Sequence, residues 1–286
     1  MFLTELKRQL IGVKHRIKDD SLSLVAAGVA FYIFLSIFPA LASVISIYGL
    51  ISDPQTVENH VTAMENFMPE EVMGIVSERL TTLAETGGGS LTFGVAIGIL
   101  VSLWSANKAM KAVAKALNIA YDTKERRGFI KFHLVTLGLT LFSTVAFIVA
   151  ITVVVAMPLF VSVFLTRQVE LLATLLSWTL YLGLLVGMYL IVYSVAPDRN
   201  RESWKELLPG AIVSAFLFVI ASTAFSFYAS NFGEFEQEYG ALGAVVATMI
   251  WLFIGAFIFL VGAELNAERI QRYNDRKPVK GLDDSS

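Results

Sequence analysis

Asn118, Tyr121, Arg127, Glu264 and Asn266 are the side chains of this chain best able to hold a polar group together. They offer amide, phenol, guanidinium and carboxylate groups. That set binds a headgroup; it lacks the paired carboxylates, or the base beside a nucleophile, that bond cleavage needs. The chain has no cysteine, so disulfides, thiolate metal sites and cysteine nucleophiles are excluded. Its 3 histidines, His15, His60 and His133, are far apart, and a histidine metal cluster is not expected. Glu234, Glu236 and Glu238 alternate in a short segment and read as a solvated loop rather than a cation site. No catalytic residue, cofactor or metal ligand is assigned, and the chain is not expected to be an enzyme.

The elements that must carry these residues are apolar. Six stretches contain no Asp, Glu, Lys or Arg: Ser21–Ser52, Thr86–Asn107, Phe132–Thr166, Leu171–Pro197, Leu207–Gly233 and Tyr239–Ala263. The shortest has 22 residues, and about 20 suffice for a helix to cross a bilayer core. Charged residues make up 16% of the chain, against about 25% in an ordinary soluble domain. Mean hydropathy is +0.67. The pattern predicts an all-α, polytopic membrane protein with six transmembrane helices and added amphipathic surface helices. Leu24–Ile51 is expected to be a retained first span rather than a cleavable signal. No ionisable group falls mid-span; Glu264 and His133 stand at span ends, which disfavours an acid relay. Neutral polar groups are available within spans, Tyr32, Ser36, Tyr181, Tyr189 and Ser222 among them, for interhelical bonds or a polar groove.

Basic residues alternate between the connections. The N-terminal segment, the second and fourth connections and the C-terminal tail hold all of the 22 Lys and Arg except Arg79 and Arg167. Cytoplasmic loops collect Lys and Arg, so both termini are expected in the cytoplasm. The outer connections are strongly acidic.

A single membrane domain is expected over 1–268, followed by a polar tail over 269–286. Within it, residues 1–20 form an amphipathic helix: Leu3, Leu6, Leu10, Val13 and Ile17 line one face, suited to the inner leaflet. Asp19, Asp20 and Ser21 are N-cap candidates for the first span. The outer connection 53–85 predicts two short helices, either a structural cap or a lid. The cytoplasmic connection 108–131 begins as a basic helix, with Lys108, Lys111 and Lys115 on one side, fit to touch anionic phospholipid headgroups. Gly87–Gly89 reads as a hinge, Arg167 and Glu170 as a tight outer turn, and Pro209–Gly210 as the opening of the fifth span. Gly240, Gly243, Ala244 and Ala247 predict close packing in the last span, as Ala26, Ala27 and Ala30 do in the first.

Three segments resemble the YihY/BrkB membrane-protein family, once widely labelled ribonuclease BN: AAGVAFYIFLSIFP at Ala26–Pro39, KALNIAYDTKERRGF at Lys115–Phe129 and YGALGAVVATMIWLFIGAFIFLVGAELNAE at Tyr239–Glu268. The likeness runs from about Leu22 to Glu268. It implies six-span proteins of the bacterial inner membrane and assigns no reaction. It implies that Tyr32, Ser36 and Pro39, then Leu117, Asn118, Tyr121 and Arg127, then Gly243, Trp251, Gly262, Glu264 and Asn266 occupy family motif positions. Ribonuclease activity would need metal-binding carboxylates or a histidine pair at a basic groove, and the cytoplasmic residues supply neither. The expected function is therefore transport or flipping of a lipid or other amphiphile, with Tyr32, Asn118, Tyr121, Arg127, Glu264 and Asn266 as candidate headgroup contacts. The alternative is an envelope structural or interaction protein; a membrane enzyme ranks third. Expected partners are the bilayer, anionic headgroups and a second copy of the chain, with no nucleic acid. A deep cavity between spans favours transport, and a solid bundle favours a structural role.

Overall fold

The computed structural model describes residues 2–51, 88–153, 167–199, 202–230 and 241–275. These form seven helices and no strand: α1 (Phe2–Asp19), α2 (Leu22–Ile51), α3 (Gly88–Ala120), α4 (Phe129–Ile151), α5 (Arg167–Val195), α6 (Trp204–Ser230) and α7 (Ala241–Asp275). Five of them, α2, α4, α5, α6 and α7, are long and apolar enough to cross a membrane. The remaining charge-free run lies on α3, where the side chains of 88–96 are outside the described part. The helices expected in 53–85, the acidic loop at 234–238 and residues 276–286 also lie outside it.

Several boundaries differ from the sequence reading. Gly88 and Gly89 belong to α3 rather than to a hinge, and Arg167 and Glu170 form the first turn of α5 rather than a turn between helices. Pro209 sits in the second turn of α6, because the helix starts earlier, at Trp204. A capping box makes that early start favourable. The Ser203 hydroxyl accepts from Lys205 N–H at 3.4 Å, and the Glu206 carboxylate accepts from Ser203 N–H at 3.1 Å. Helix α7 continues to Asp275, into the stretch expected to be tail.

The helices from α2 to α7 form a closed ring. Each packs on the next in chain order, and α7 returns to α2; α1 lies outside the ring against α7 and α2. Burial concentrates at the end where α1, the α3–α4 turn and the α5–α6 turn meet. There Leu22, Ala26, Leu117, Ala120, Tyr193, Leu207, Ala211, Leu260 and Ala263 are buried. Many are alanines, so the helix backbones approach closely and gain dispersion contacts that replace the missing hydrophobic drive between helices in lipid. The amphipathic α1 buries Val13 but leaves Leu10 and Ile11 exposed, so its apolar face is only partly used within the chain. Exposed apolar residues such as Leu100, Val145, Phe216 and Leu242 cover the outside of the ring, as a lipid-facing surface requires.

Candidate functional site

The packed end of the ring holds three polar junctions. The first is built by α1. Its Arg16 donates from Nε to Glu264 Oε2 at 2.8 Å, from Nη2 to Asp122 Oδ2 at 2.8 Å and to the Ala120 carbonyl at 2.9 Å, and from Nη1 to Gln271 at 3.1 Å. One guanidinium thus ties α1 to α3 and α7. The Glu264 side chain is fully buried. Burial pulls the Arg16 pKa down, yet its hydrogen bonds to Glu264 and Asp122 leave it raised overall. Asp20 joins the cluster: burial lifts its carboxyl above the usual range, and it faces Glu264. Glu264 Oε1 has no donor among the described residues. Two carboxyls that face each other bond only when they share a proton.

The backbone shapes this junction through two non-glycine residues in the left-handed region, Ser21 (φ 49°) and Asp122 (φ 51°). Asp122 occupies the left-handed position of a Schellman turn that ends α3. Thr123 N–H reaches the Asn118 carbonyl at 2.8 Å, and Asp122 N–H reaches Ile119 at 2.9 Å. Asp tolerates this conformation better than most residues do, and the turn delivers its carboxylate to Arg16. At Gly12 α1 passes close to α7, and a β-carbon there would push aside the Glu268 carboxylate.

The second junction ties the α3–α4 turn to the end of α5. Arg127 grips Glu125 with Nε at 2.6 Å and Nη2 at 2.7 Å, and Nη2 also reaches the Ala196 carbonyl at 2.7 Å. These bonds hold the Glu125 carboxyl below, and the Arg127 guanidinium above, their ordinary pKa values. Asn118 donates to Glu125 at 3.0 Å and accepts from Asp198 N–H at 2.8 Å. The Asp198 carboxylate accepts from the backbone N–H of Arg126 and Arg127. Beside it, Arg199 stacks on the Tyr121 ring at 3.9 Å. Burial pushes the Tyr121 phenol up to about 12, so it stays a neutral hydroxyl at physiological pH.

The third junction joins α6 to α7. Asn266 is fully buried; its Oδ1 accepts from Gly210 N–H at 2.8 Å, and its Nδ2 donates to the Leu207 carbonyl at 2.9 Å. One turn deeper, Tyr193 donates to the Phe259 carbonyl at 2.5 Å, and Ser214 donates to Ile258 at 2.9 Å. Gly210 and Gly262 face each other across this crossing. A β-carbon at Gly262 would collide with Ser214, Gly210 and Tyr193 together.

Beyond this plug the ring is hollow. A cavity of about 230 Å³ is lined by residues from all six ring helices, including Val29, Val113, Ser143, Val192, Phe218 and Gly255. It adjoins a larger one of about 850 Å³ between α4, α5, α6 and α7, which lies farther from the plug. Both are bordered by Met188, Tyr189, Phe218 and Trp251. Tyr189, Tyr193 and Phe259 stack between the cavities and the polar junctions, with ring centroids 4.7 to 6.2 Å apart. The larger volume lies within the range of about 300–1,000 Å³ typical of small-molecule sites. Among the described residues no group of three or more His, Asp or Glu is placed to hold a metal ion.

Comparison with known proteins matches residues 13–285 to the family model described as virulence factor BrkB. The chain belongs to the BrkB family. A protein named as ribonuclease-like, YfkH of Bacillus subtilis, is 30% identical over 258 residues, covering 85% of this chain and 88% of that protein. A UPF0761 membrane protein of Pseudoalteromonas translucida is 25% identical over 258 residues, covering 88% and 83% of the two chains. Another, of Chlorobium limicola, is 27% identical over 250 residues; the match covers 87% of this chain but only 55% of that longer relative. No solved structure matches.

The candidate headgroup contacts divide by place. Asn118, Tyr121, Arg127, Glu264 and Asn266 do converge at the packed end, but on separate internal partners. Arg127 spends its donors on Glu125 and the α5 carbonyls, and Asn266 spends both ends of its amide on α6. Tyr32 is not with them; it is exposed on α2, edge-on to Phe31. Lys108, Lys111 and Lys115 follow one side of α3. Burial and then its two neighbours lower the Lys111 pKa, and Lys108 lies over the Trp104 ring at 3.5 Å. Sequence reasoning did not single out Arg16, Glu125 or Asp198, and it gave Asp20 only a capping role. It expected close packing at Ala26, Ala27 and Ala30 in α2, of which Ala26 and Ala30 are buried, and around Gly243 in α7, where a β-carbon would meet nothing within 4 Å. The small pair Gly210 and Ser214, four residues apart, was the signal for the true crossing.

Proposed function

We propose that this chain is a transporter or flippase of a lipid or other amphiphile in the bacterial inner membrane, with six spans and both termini in the cytoplasm. The observation that carries this reading is the hollow ring, plugged at one end and open in its middle. A carrier needs such a site within the membrane and a barrier on one side of it. A solid bundle would have served a structural role as well, and the ring is not solid. No catalytic set is proposed, and the polar junctions read as the barrier.

The alternation of Lys and Arg places the plug on the cytoplasmic side. Because the chain has no cysteine, single cysteines can test this without background. A cysteine at Lys111 is expected to resist a membrane-impermeant maleimide added outside intact cells, and one at Glu70 to react. Labelling of both from the same side would overturn the topology. Transport itself is tested in proteoliposomes carrying fluorescent (NBD-labelled) lipids, with dithionite reporting the outer leaflet. Faster equilibration between leaflets is expected with protein than without, and slowing when the cavity is filled by Thr223→Trp. Identical leaflet distributions with and without protein, across a panel of headgroups, would refute the reading.

A further inference from the structure

The two cavities say what part of a ligand they can accept. Among the described residues lining them, none is an Asp, Glu, Lys, Arg or His. Moving a charge into such a lining is costly, because neither a counter-charge nor a row of free donors is there to replace water. The polar groups present are hydroxyls and the indole N–H groups of Trp178 and Trp251, all of which bond neutral oxygens. Several are already committed: Ser222 accepts from Trp251 Nε1 at 3.2 Å, and Thr223 donates to the Val219 carbonyl at 2.9 Å.

Tyr189 differs. It borders both cavities and is only 7% exposed. Its ring is held edge-on against Phe259, with centroids 5.0 Å apart, so the phenol cannot swing out to water. Yet its hydroxyl makes no hydrogen bond to any described residue, and it is not among the sealed polar atoms. It opens on the hollow. A buried phenol normally finds a partner, and leaving one unmade costs as much as a lost hydrogen bond. Tyr181, one face along α5, lines the larger cavity as well and lies within electrostatic reach of Tyr189.

We infer that this cavity binds an uncharged amphiphile: an apolar body with a neutral hydroxyl or carbonyl oxygen that hydrogen-bonds to Tyr189. The inference rests on the transport reading above for the meaning of the site, but it concerns binding alone. It also moves the ligand contact away from Arg127 and Glu264, which are engaged with the protein itself, to the middle of the ring. Phospholipid headgroups, which carry charge, are left to the rim and to the basic side of α3.

The test uses the full chain in nanodiscs with two photoactivatable probes that share one diazirine-bearing acyl chain, a diacylglycerol and a phosphatidylglycerol. Cross-linked residues are mapped by mass spectrometry. The diacylglycerol probe is expected to label the stretch around Met188, Phe218 and Trp251, and unlabelled dioleoylglycerol to compete. Dioleoylphosphatidylglycerol is expected to compete at least tenfold less well. Tyr189→Phe removes one oxygen and leaves the packing, and it should weaken competition by roughly threefold to tenfold, the worth of one hydrogen bond. Thr223→Trp should suppress cavity labelling. Equal labelling of these residues by the two probes, absence of cavity labelling, or indifference to Tyr189→Phe would each overturn the inference. Cavity labelling without leaflet exchange of any lipid would sink the transport reading and leave this one standing. Leaflet exchange of phospholipids without neutral-lipid labelling would do the reverse.

Discussion

Removing the Arg16 guanidinium should cost more than any other single change in α1. In Arg16→Met the stem keeps its packing while four hydrogen bonds disappear, to Glu264, Asp122, Gln271 and the Ala120 carbonyl. Asp122 and Gln271 can turn to water. Glu264 cannot, because its side chain is fully buried and Oε1 already lacks a donor. Breaking one side of a buried ion pair costs up to about 3–5 kcal/mol, less where the carboxyl left behind can take up a proton, as Glu264 can beside Asp20. If that charge is the cause, removing it should restore much of the loss. Glu264→Gln alone leaves Arg16 its other partners and should cost about 1.5–3 kcal/mol, the worth of a hydrogen bond to a charged group. The double variant Arg16→Met/Glu264→Gln should then be less damaging than the sum by at least ~1.5 kcal/mol, within the range of coupling seen for contacting residues. Equilibrium unfolding followed by far-ultraviolet circular dichroism in mixed micelles supplies the four corners of the cycle. A cost below about 0.5 kcal/mol for Arg16→Met, or additive losses, would refute the reasoning. It would mean that α1 rests on the ring without being latched to it.

Asn266→Leu removes the two buried bonds that its amide makes to α6, and should lower stability by roughly 1–3 kcal/mol in the same unfolding assay. Gly262→Ala should abolish the monodisperse peak in size-exclusion chromatography, since its β-carbon would collide with Ser214, Gly210 and Tyr193; Gly183→Ala, with nothing nearby, should be neutral or stabilising by up to about 1 kcal/mol. For Asp20, a carboxyl pKa raised by burial means that the folded state binds a proton more tightly than the unfolded one. Stability should therefore fall as pH climbs above about 3.9, the unfolded value. Asp20→Asn supplies a permanent donor to Glu264, so it should flatten that slope and stabilise the protein at pH 7, measured by unfolding midpoints across pH. Glu125 has the opposite sign: its pKa is depressed by the Arg127 hydrogen bonds, so its contribution is present at neutral pH and is lost as pH falls through the carboxylate range.

Much of this fold is legible in the chain because lipid imposes one simple demand: a helix that crosses it must omit charge for about 20 residues. Charge-free runs therefore mark α2 and α4 to α7 without reference to any partner. Helix ends are less legible, because they obey local hydrogen bonding rather than the bilayer. Ser203 and Glu206 start α6 well before its apolar run begins, and the Schellman turn after Ala120 rests on an Asp where glycine is the usual sign. The junctions are least legible. Arg16 and Glu264 are separated by 248 positions, and no local pattern links them. A trace exists nonetheless: Arg16 follows Val13 by one helical turn and precedes Ile17, so it borders the buried stripe of α1, where a charge must find a partner.

The cavity illustrates a different limit. Apolar residues that face a neighbouring helix, a lipid tail or an empty space look alike in sequence, because all three exclude charge equally. Phe218 and Phe216 show this on one helix: the first borders both cavities, and the second is exposed on the outside of the ring. Packing detail separates them. The plug is built from alanine, glycine and interlocked polar side chains, which bring α6 and α7 into backbone contact. Farther along the same helices, bulky aromatics such as Phe218, Phe227 and Trp251 stand at the facing positions, and a cavity opens between the helices. The small-to-large change along α6 thus turns one continuous helix into a seal at one end and a wall at the other. A ring sealed in this graded way can hold a ligand in its middle while the polar end keeps the two sides of the membrane apart.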